Sequence, residues 1–237
     1  MAKLVFDIET IGENYNELDE TTQEILTRWI EKGSGSEEEY KVKLEELKDG
    51  MGFSPLTGEI CVIGIMDVEQ NKGAVYYQNP AEPIQESETE GVKFKAMSEV
   101  EMLNKFWELA GRYDEFISFN GRAFDVPFMM VRSAVHGIRP SKDLLSNRYL
   151  SLQKFGSKHV DLFDQLSFYG AVYRQKGGLH LWSRAFGIAS PKAEGVSGDQ
   201  VSALFEQKEY LKIAQYNVGD LRATRELYLK WEEFLKF

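Results

Sequence analysis

Residues 5–10 read VFDIET, and this short stretch decides the fold prediction. Asp7 and Glu9 are two residues apart, so on a β-strand their carboxylates point to the same face. The alternating residues on the other face are apolar: Leu4, Phe6 and Ile8. Adjacent carboxylates repel each other and lose hydration on burial, and a divalent cation held by their oxygens compensates for both costs. The stretch therefore predicts either a core strand with a metal site or an edge strand with two solvated acids.

A second acidic position follows another predicted strand. Residues 115–119 are mostly apolar and lead into Asn120-Gly121, a dipeptide typical of turns. Asp125 comes next, and we expect its side chain to cap a helix that Pro127 helps to start. This order predicts a carboxylate just beyond the end of a buried strand.

The C-terminal segment has the periodicity of an amphipathic helix. Tyr216 and Asp220 are four residues apart and therefore share one helix face, which Thr224 continues. The apolar stripe that would pack this helix down consists of Leu221, Leu227, Trp231 and Phe234.

Taken together, these three segments resemble the ordered motifs of the DEDD superfamily of 3′–5′ exonucleases. The motifs correspond to residues 6–10, 120–125 and 216–220. Within the superfamily, the chain is similar to the proofreading domain of B-family DNA polymerases and to the stand-alone exonucleases related to it. Each motif alone is weakly specific, whereas all three in this order are strongly specific.

The residue that handles the attacking water divides this superfamily into two branches. One branch has a His five residues before the last Asp, and the other has a Tyr four residues before it. Here the two positions hold Gln215 and Tyr216. The chain therefore resembles the DEDDy branch.

This resemblance implies an α/β, ribonuclease H-like fold, in which helices flank a mixed β-sheet. It implies two Mg²⁺ or Mn²⁺ ions and hydrolysis at the 3′ end of single-stranded DNA or of a 3′ overhang, which releases nucleoside 5′-monophosphates. The implied metal ligands are Asp7, Glu9, Asp125 and Asp220. Tyr216 would orient or deprotonate the attacking water. The residues implied to contact the terminal nucleotide are Thr10, Ile11, Asn120 and Phe124.

Charge is unevenly distributed along the chain. The net charge is −10, yet residues 122–192 hold 11 Lys and Arg against 4 Asp and Glu. Aromatic residues are interleaved with these cations, a pattern that suits a nucleic acid single strand, because cations neutralise phosphates and rings stack on bases. The alternative is a solvated surface with ordinary core aromatics. The predicted phosphate contacts are Lys154, Lys158, Arg174 and Lys176.

The remaining pattern predicts a single domain over residues 1–237. Residues 13–50 are acidic with helical spacing, so we expect a helical insertion after the first strand, with a flexible joint at residues 33–36. Residues 60–66 and 74–77 predict two more strands of a meander.

Two further elements are expected before the second motif. Residues 78–95 are rich in Pro and Glu and predict a long loop. Ser98 and Glu101 form a capping box that opens a helix ending near Ala110.

The three histidines are scattered without metal-ligand spacing and are predicted to be structural or at the surface. For Asp161 the resemblance implies a structural role or a role in supporting the site residues. Cys61, the one cysteine, lies in an apolar run and is expected to be an inert buried thiol. We see no signal pattern and no apolar run near 18 residues, which predicts a cytoplasmic protein without membrane contact.

Two alternatives to a DNA exonuclease stay open. The same chemistry could act on RNA, or the fold could serve as a non-catalytic nucleic-acid-binding module. Four retained carboxylates and Tyr216 favour an enzyme, because a chain without metals has no reason to hold these charges together. The sequence leaves open whether the chain has a protein partner.

Overall fold

The computed structural model describes residues 1–82, 85–172, 178–189 and 200–236. Within these ranges, seven strands form one mixed sheet: β1 (Lys3–Gly12), β2 (Gly58–Asp67), β3 (Lys72–Tyr77), β4 (Glu86–Thr89), β5 (Val92–Ala96), β6 (Glu115–Ser118) and β7 (Lys158–Asp161). The α-helices of the same ranges are α1 (Glu20–Gly33), α2 (Glu37–Gly50), α3 (Glu99–Ala110), α4 (Asp125–Val135), α5 (Leu162–Leu166), α6 (Leu179–Ala185), α7 (Val201–Glu206) and α8 (Tyr210–Phe234).

Strand β1 lies in the interior of the sheet, whose order is β4-β5-β3-β2-β1-β6-β7. It pairs antiparallel with β2, and β2 pairs antiparallel with β3, which gives the predicted meander. On its other side β1 pairs in parallel with β6, and β6 in parallel with β7. The carboxylates of β1 therefore belong to a central strand, and the edge-strand alternative is wrong.

Helices cover both faces of the sheet, and each face forms a hydrophobic core. Leu4, Phe6 and Ile8 of β1 pack into the core shared with α3 and α4. Val5 and Ile11 point the other way, into the core that α8 closes. The alternation along β1 places Asp7 and Glu9 on the α8 side of the sheet.

The expected helical insertion after the first strand is present as α1 and α2. Asp19 caps α1 and Ser36 caps α2, since each side chain accepts a hydrogen bond from the backbone N–H three residues later. The apolar residues that predicted helix α1 are only partly buried: Ile30 is buried, but Ile25 and Trp29 are exposed. Because α1 packs mainly against α2, its apolar face reaches neither core of the sheet.

The long loop predicted for residues 78–95 is wrong. Strands β4 and β5 form an antiparallel hairpin there, and β5 also pairs in parallel with β3. Alternate residues of β5 are buried, whereas Lys93 and Lys95 point outward. These two lysines lie opposite Glu88 and Glu86 of β4. The glutamates that suggested a loop therefore face residues of opposite charge on the neighbouring strand.

Helix α3 has the predicted limits. The Ser98 hydroxyl accepts from the Glu101 backbone, and the Glu101 carboxylate accepts from the Ser98 backbone, which completes the capping box. The long helix α8 buries most of its predicted stripe, but Phe234 is exposed because the helix ends there, beyond the sheet. Among the described residues, every helix is too short or too polar to span a bilayer.

Candidate active site

Three carboxylates from opposite ends of the chain meet between β1 and α8. One carboxylate oxygen each from Asp7, Glu9 and Asp220 lies within 4.8 Å of the others. No other group of three acidic, histidine or cysteine side chains in the described ranges meets this spacing. Mg²⁺ and Mn²⁺ prefer such hard oxygen donors, so the donor set fits a divalent metal.

Asp125 lies beside this triad and is fixed by β1. Its Oδ1 accepts a hydrogen bond of 3.1 Å from the backbone N–H of Ile8. The expected capping role is therefore wrong: α4 begins at Asp125, and the residue before it, Phe124, provides no side-chain cap. The Asp125 carboxylate, which was expected to cap the helix, accepts its hydrogen bond from the backbone of β1 instead.

Burial and mutual repulsion govern the acid–base behaviour of these groups. The pKa of Asp7 is raised well above its usual value by burial and then by the charges of Asp125, Asp220 and Glu9. The pKa of Glu9 is raised by burial and by Asp220. For Asp125, burial raises the pKa to about 7. A divalent cation among these groups would favour their charged forms.

Tyr216 is on the same side of α8 as Asp220. Its pKa is raised far above the usual value by burial and by the Asp220 charge. At neutral pH the metal-free protein therefore holds Tyr216 as a phenol. Gln215, the position used by the other branch of the superfamily, is exposed on a different part of the helix surface.

The turn before Asp125 is held by Asp161. Asn120 has a positive φ of 63°, which Asn tolerates better than most residues. The two oxygens of Asp161 accept from the backbone N–H groups of Asn120 at 2.9 Å and Arg122 at 3.0 Å. The predicted structural role of Asp161 is confirmed.

His159 is a buried structural residue. Its Nδ1 lies 3.0 Å from the Leu144 carbonyl and its Nε2 lies 2.7 Å from the Ser118 hydroxyl. A carbonyl only accepts, so Nδ1 carries the proton and Nε2 accepts from Ser118. Burial lowers the pKa of His159 to about 3, which keeps the ring neutral.

A cavity of about 400 Å³ has Thr10, the residue after Glu9, in its wall. Its walls come from Thr10, from the end of the insertion and from α7. The Thr10 hydroxyl donates to the Gly52 carbonyl at 2.7 Å, which ties the turn after the insertion to β1. Phe53, also in the wall, packs against Phe124 with ring centroids 6.4 Å apart. Three of the four residues expected at the terminal nucleotide, Thr10, Asn120 and Phe124, are partly exposed, whereas the Ile11 side chain is buried in the core.

A family model described as a predicted 3′–5′ exonuclease related to the exonuclease domain of PolB matches residues 82–236. The chain belongs to this family. The matched region of this PolB-related exonuclease family includes Asp125, Tyr216 and Asp220. Asp7 and Glu9 precede it, and the fold brings them to the matched residues.

A solved structure supports the same fold. The family B DNA polymerase from the hyperthermophilic archaeon Pyrobaculum calidifontis matches 99% of this chain, at 18% sequence identity and a TM-score of 0.60. The match covers 25% of the polymerase chain. The predicted ribonuclease H-like α/β fold, with its mixed sheet flanked by helices, is confirmed. The comparison with curated proteins gave no match.

Lys158, one of the predicted phosphate contacts, lies apart from the carboxylates. Lys158 begins β7 opposite Glu115, at the end of the parallel strands away from Asp125. It lines a second cavity, of about 460 Å³, whose walls include four aromatic rings: Tyr149, Phe168, Tyr169 and Trp231. Lys154 is exposed in the preceding loop. Arg174 and Lys176 lie outside the described residues.

Sequence reasoning missed two residues of this candidate site. Phe53 lies in a short turn between the insertion and β2, and the sequence there has no periodicity that would mark it. Asn217 lies between Tyr216 and Asp220, and its amide donates to Asp7 Oδ2 at 2.7 Å. Its position inside a motif was the available signal, but a neutral amide on a helix gives no indication of a contact with β1.

Proposed function

We propose that this chain is a DEDDy-type 3′–5′ exonuclease that hydrolyses single-stranded DNA, or a 3′ overhang, with two bound divalent ions. The observation that carries the proposal is the convergence of Asp7, Glu9 and Asp220 within 4.8 Å beside the Tyr216 hydroxyl. Family membership supports the reaction type, because the family is described as 3′–5′ exonucleases.

The four carboxylates divide between two metal positions in this proposal. Asp7, Glu9 and Asp220 would hold one Mg²⁺ or Mn²⁺ ion, and Asp7 together with Asp125 would hold the other. Bound ions of this kind lower the pKa of an attacking water and stabilise the charge that develops on the phosphate and on the leaving oxygen. The raised pKa values of Asp7, Glu9 and Asp125 support the assignment, because clustered buried carboxylates resist ionisation without a cation.

Tyr216 orients the attacking water in this mechanism. Its raised pKa keeps the hydroxyl protonated, so it acts through hydrogen bonds and does not remove a proton in the metal-free protein. The ring packs into the core that α8 closes over the sheet.

The 3′-terminal nucleotide would occupy the cavity beside Thr10. Its base would contact the rings of Phe53 and Phe124, and Asn120 lies on the turn that leads to Phe124. Hydrolysis would then release a nucleoside 5′-monophosphate. The basic segment 122–192, with Lys154, Lys158, Arg174 and Lys176, would bind phosphates of the remaining strand with little sequence preference.

The test uses two labelled forms of one oligonucleotide in the presence of Mn²⁺. A 5′-labelled strand should shorten one nucleotide at a time, while a 3′-labelled strand should give a labelled nucleoside 5′-monophosphate as its first product. EDTA should stop both reactions, and Asp220→Asn prepared in parallel controls for contaminating nucleases. Internal cleavage, or release from the 5′ end, would contradict the proposal. The matching ribo-oligomer decides the sugar preference.

A further inference from the structure

Asn217 is a fully buried amide directly beneath the carboxylates of β1. It is 0% exposed. Its Nδ2 lies 2.7 Å from Asp7 Oδ2 and 3.5 Å from Glu9 Oε1. An amide nitrogen has two hydrogens, so one group can serve both carboxylates at once. Bonds from a neutral donor to a carboxylate are charge-assisted and short, as the contact with Asp7 is.

Gly64 provides the space that this amide occupies. It lies on β2 directly opposite Asp7. A Cβ atom at Gly64 would lie 1.8 Å from Asn217 Oδ1 and 2.8 Å from Leu221 Cδ1. A glycine inside a strand weakens that strand and often marks a close approach by another group. The close approach here is made by the amide of Asn217.

We propose that Asn217 is a positioning residue for the metal site, and that Gly64 is the position that allows it to reach Asp7 and Glu9. This inference rests on the proposed function, because it takes Asp7 and Glu9 as metal ligands. The amide fixes both side chains without adding negative charge to a cluster that already repels itself. Hydrogen-bond partners of metal ligands typically change metal affinity by about 10- to 100-fold when they are removed.

The direct test is Mn²⁺ binding to Asn217→Ala without nucleic acid, measured by calorimetry and by the Mn²⁺-induced rise in melting temperature. We expect Mn²⁺ to bind about 10- to 100-fold more weakly than to the wild type. The Mn²⁺ concentration for half-maximal nucleotide release should rise by a similar factor, with a smaller change in the rate at saturating Mn²⁺. An unchanged Mn²⁺ affinity would overturn the proposal.

Gly64→Ala tests the same interaction from the other side. We expect it to weaken Mn²⁺ binding in the wild-type background, because its Cβ displaces the Asn217 amide. In the Asn217→Ala background the same change should have little further effect on Mn²⁺ affinity, since the amide is already absent. Equal effects of Gly64→Ala in both backgrounds would show that it acts through general strain, and would overturn the role given to Gly64.

Gly73→Ala is the matched control. It is also a strand glycine, and its Cβ would lie 2.5 Å from the Ile65 carbonyl oxygen, away from Asn217. It should lower the melting temperature without changing Mn²⁺ affinity, which separates an effect on stability from an effect on positioning. A wild type that binds Mn²⁺ but releases no nucleotide would overturn the proposed function alone, and the affinity comparison would still decide this inference.

Discussion

Asp125 and Tyr216 show how burial sets the working state of single residues at this site. Both have raised pKa values, which favour the protonated, neutral form of each group. Asp125, with a pKa of about 7, is balanced between its two forms, whereas Tyr216 stays protonated. Binding of a metal would shift the first group toward its anion and leave the second a hydrogen-bond donor.

The raised pKa of Asp125 predicts a pH-dependent stabilisation by metal. Between about pH 4 and pH 7 the folded metal-free protein keeps a proton that the unfolded chain has lost, so the free energy of unfolding falls as pH rises through this window. A bound cation displaces that proton. The Mn²⁺-induced rise in melting temperature should therefore be larger at pH 8 than at pH 5. Asp125→Asn should reduce this difference without abolishing it, because Asp7 and Glu9 also have raised pKa values. A dependence as steep as in the wild type would show that Asp125 does not hold the displaced proton.

Tyr216→Phe tests the orienting role. The substitution removes the hydroxyl but keeps the ring that packs α8, so folding and substrate affinity should change little. Positioning of a reacting water typically contributes about 10²–10⁴-fold, and we expect a decrease in single-turnover rate near 10²-fold at saturating Mn²⁺. Tyr210→Phe is the matched control, because Tyr210 lies on the same helix and, like Tyr216, is 9% exposed. Equal rates for wild type and Tyr216→Phe would remove this residue from the mechanism.

At the scale of elements, local patterns could be predicted and contacts across the sheet could not. The alternation around Asp7 and Glu9 predicted both the strand and its faces, because side chains on a strand repeat every two residues. The β4–β5 hairpin was missed, since its charged residues pair only once the strands are in register. The contact of Asn217 with Asp7 was missed for the same reason: it depends on Gly64 of another strand.

The insertion formed by α1 and α2 is predicted to be dispensable for folding. Its buried residue Ile30 belongs to neither core of the sheet. The insertion's ends are close together, because a Cβ at Gly12 would lie 2.9 Å from Met51 Cβ. Replacing residues 13–50 with a short Gly-Ser linker should leave a folded protein with altered processing of structured 3′ ends. A truncated chain that is recovered only as aggregate would show that the helices support the core.

At the scale of the whole molecule, charge separates the acidic insertion from the basic segment 122–192. This separation follows directly from the order of charges along the chain. The distance of Lys158 from the carboxylates could not be predicted from sequence, because it depends on which end of β7 carries this lysine. That end lies away from Asp125, so contacts there would involve nucleotides some distance from the 3′ terminus.

The double variant Lys154→Gln, Lys158→Gln tests this long-range interaction with the strand. We expect weaker binding to single-stranded DNA of any sequence. The slope of log affinity against log salt should become shallower by about 0.7 for each phosphate that a lysine no longer neutralises. Lys41→Gln serves as a control, because this lysine lies on the acidic insertion and pairs with Glu37. A slope unchanged from wild type would place both residues of the double variant away from the nucleic acid.

The most direct test of the metal-dependent site is nucleotide release by Asp7→Asn, measured together with its Mn²⁺-induced rise in melting temperature. Because bound metals contribute several kcal/mol to such a reaction, release should fall by about 10³-fold or more. The metal-free variant should melt at or above the wild-type temperature, since one repelling charge is gone. Mn²⁺ should stabilise it much less than the wild type. Wild-type nucleotide release by Asp7→Asn would contradict the assignment of Asp7, Glu9, Asp125 and Asp220 as the catalytic metal site.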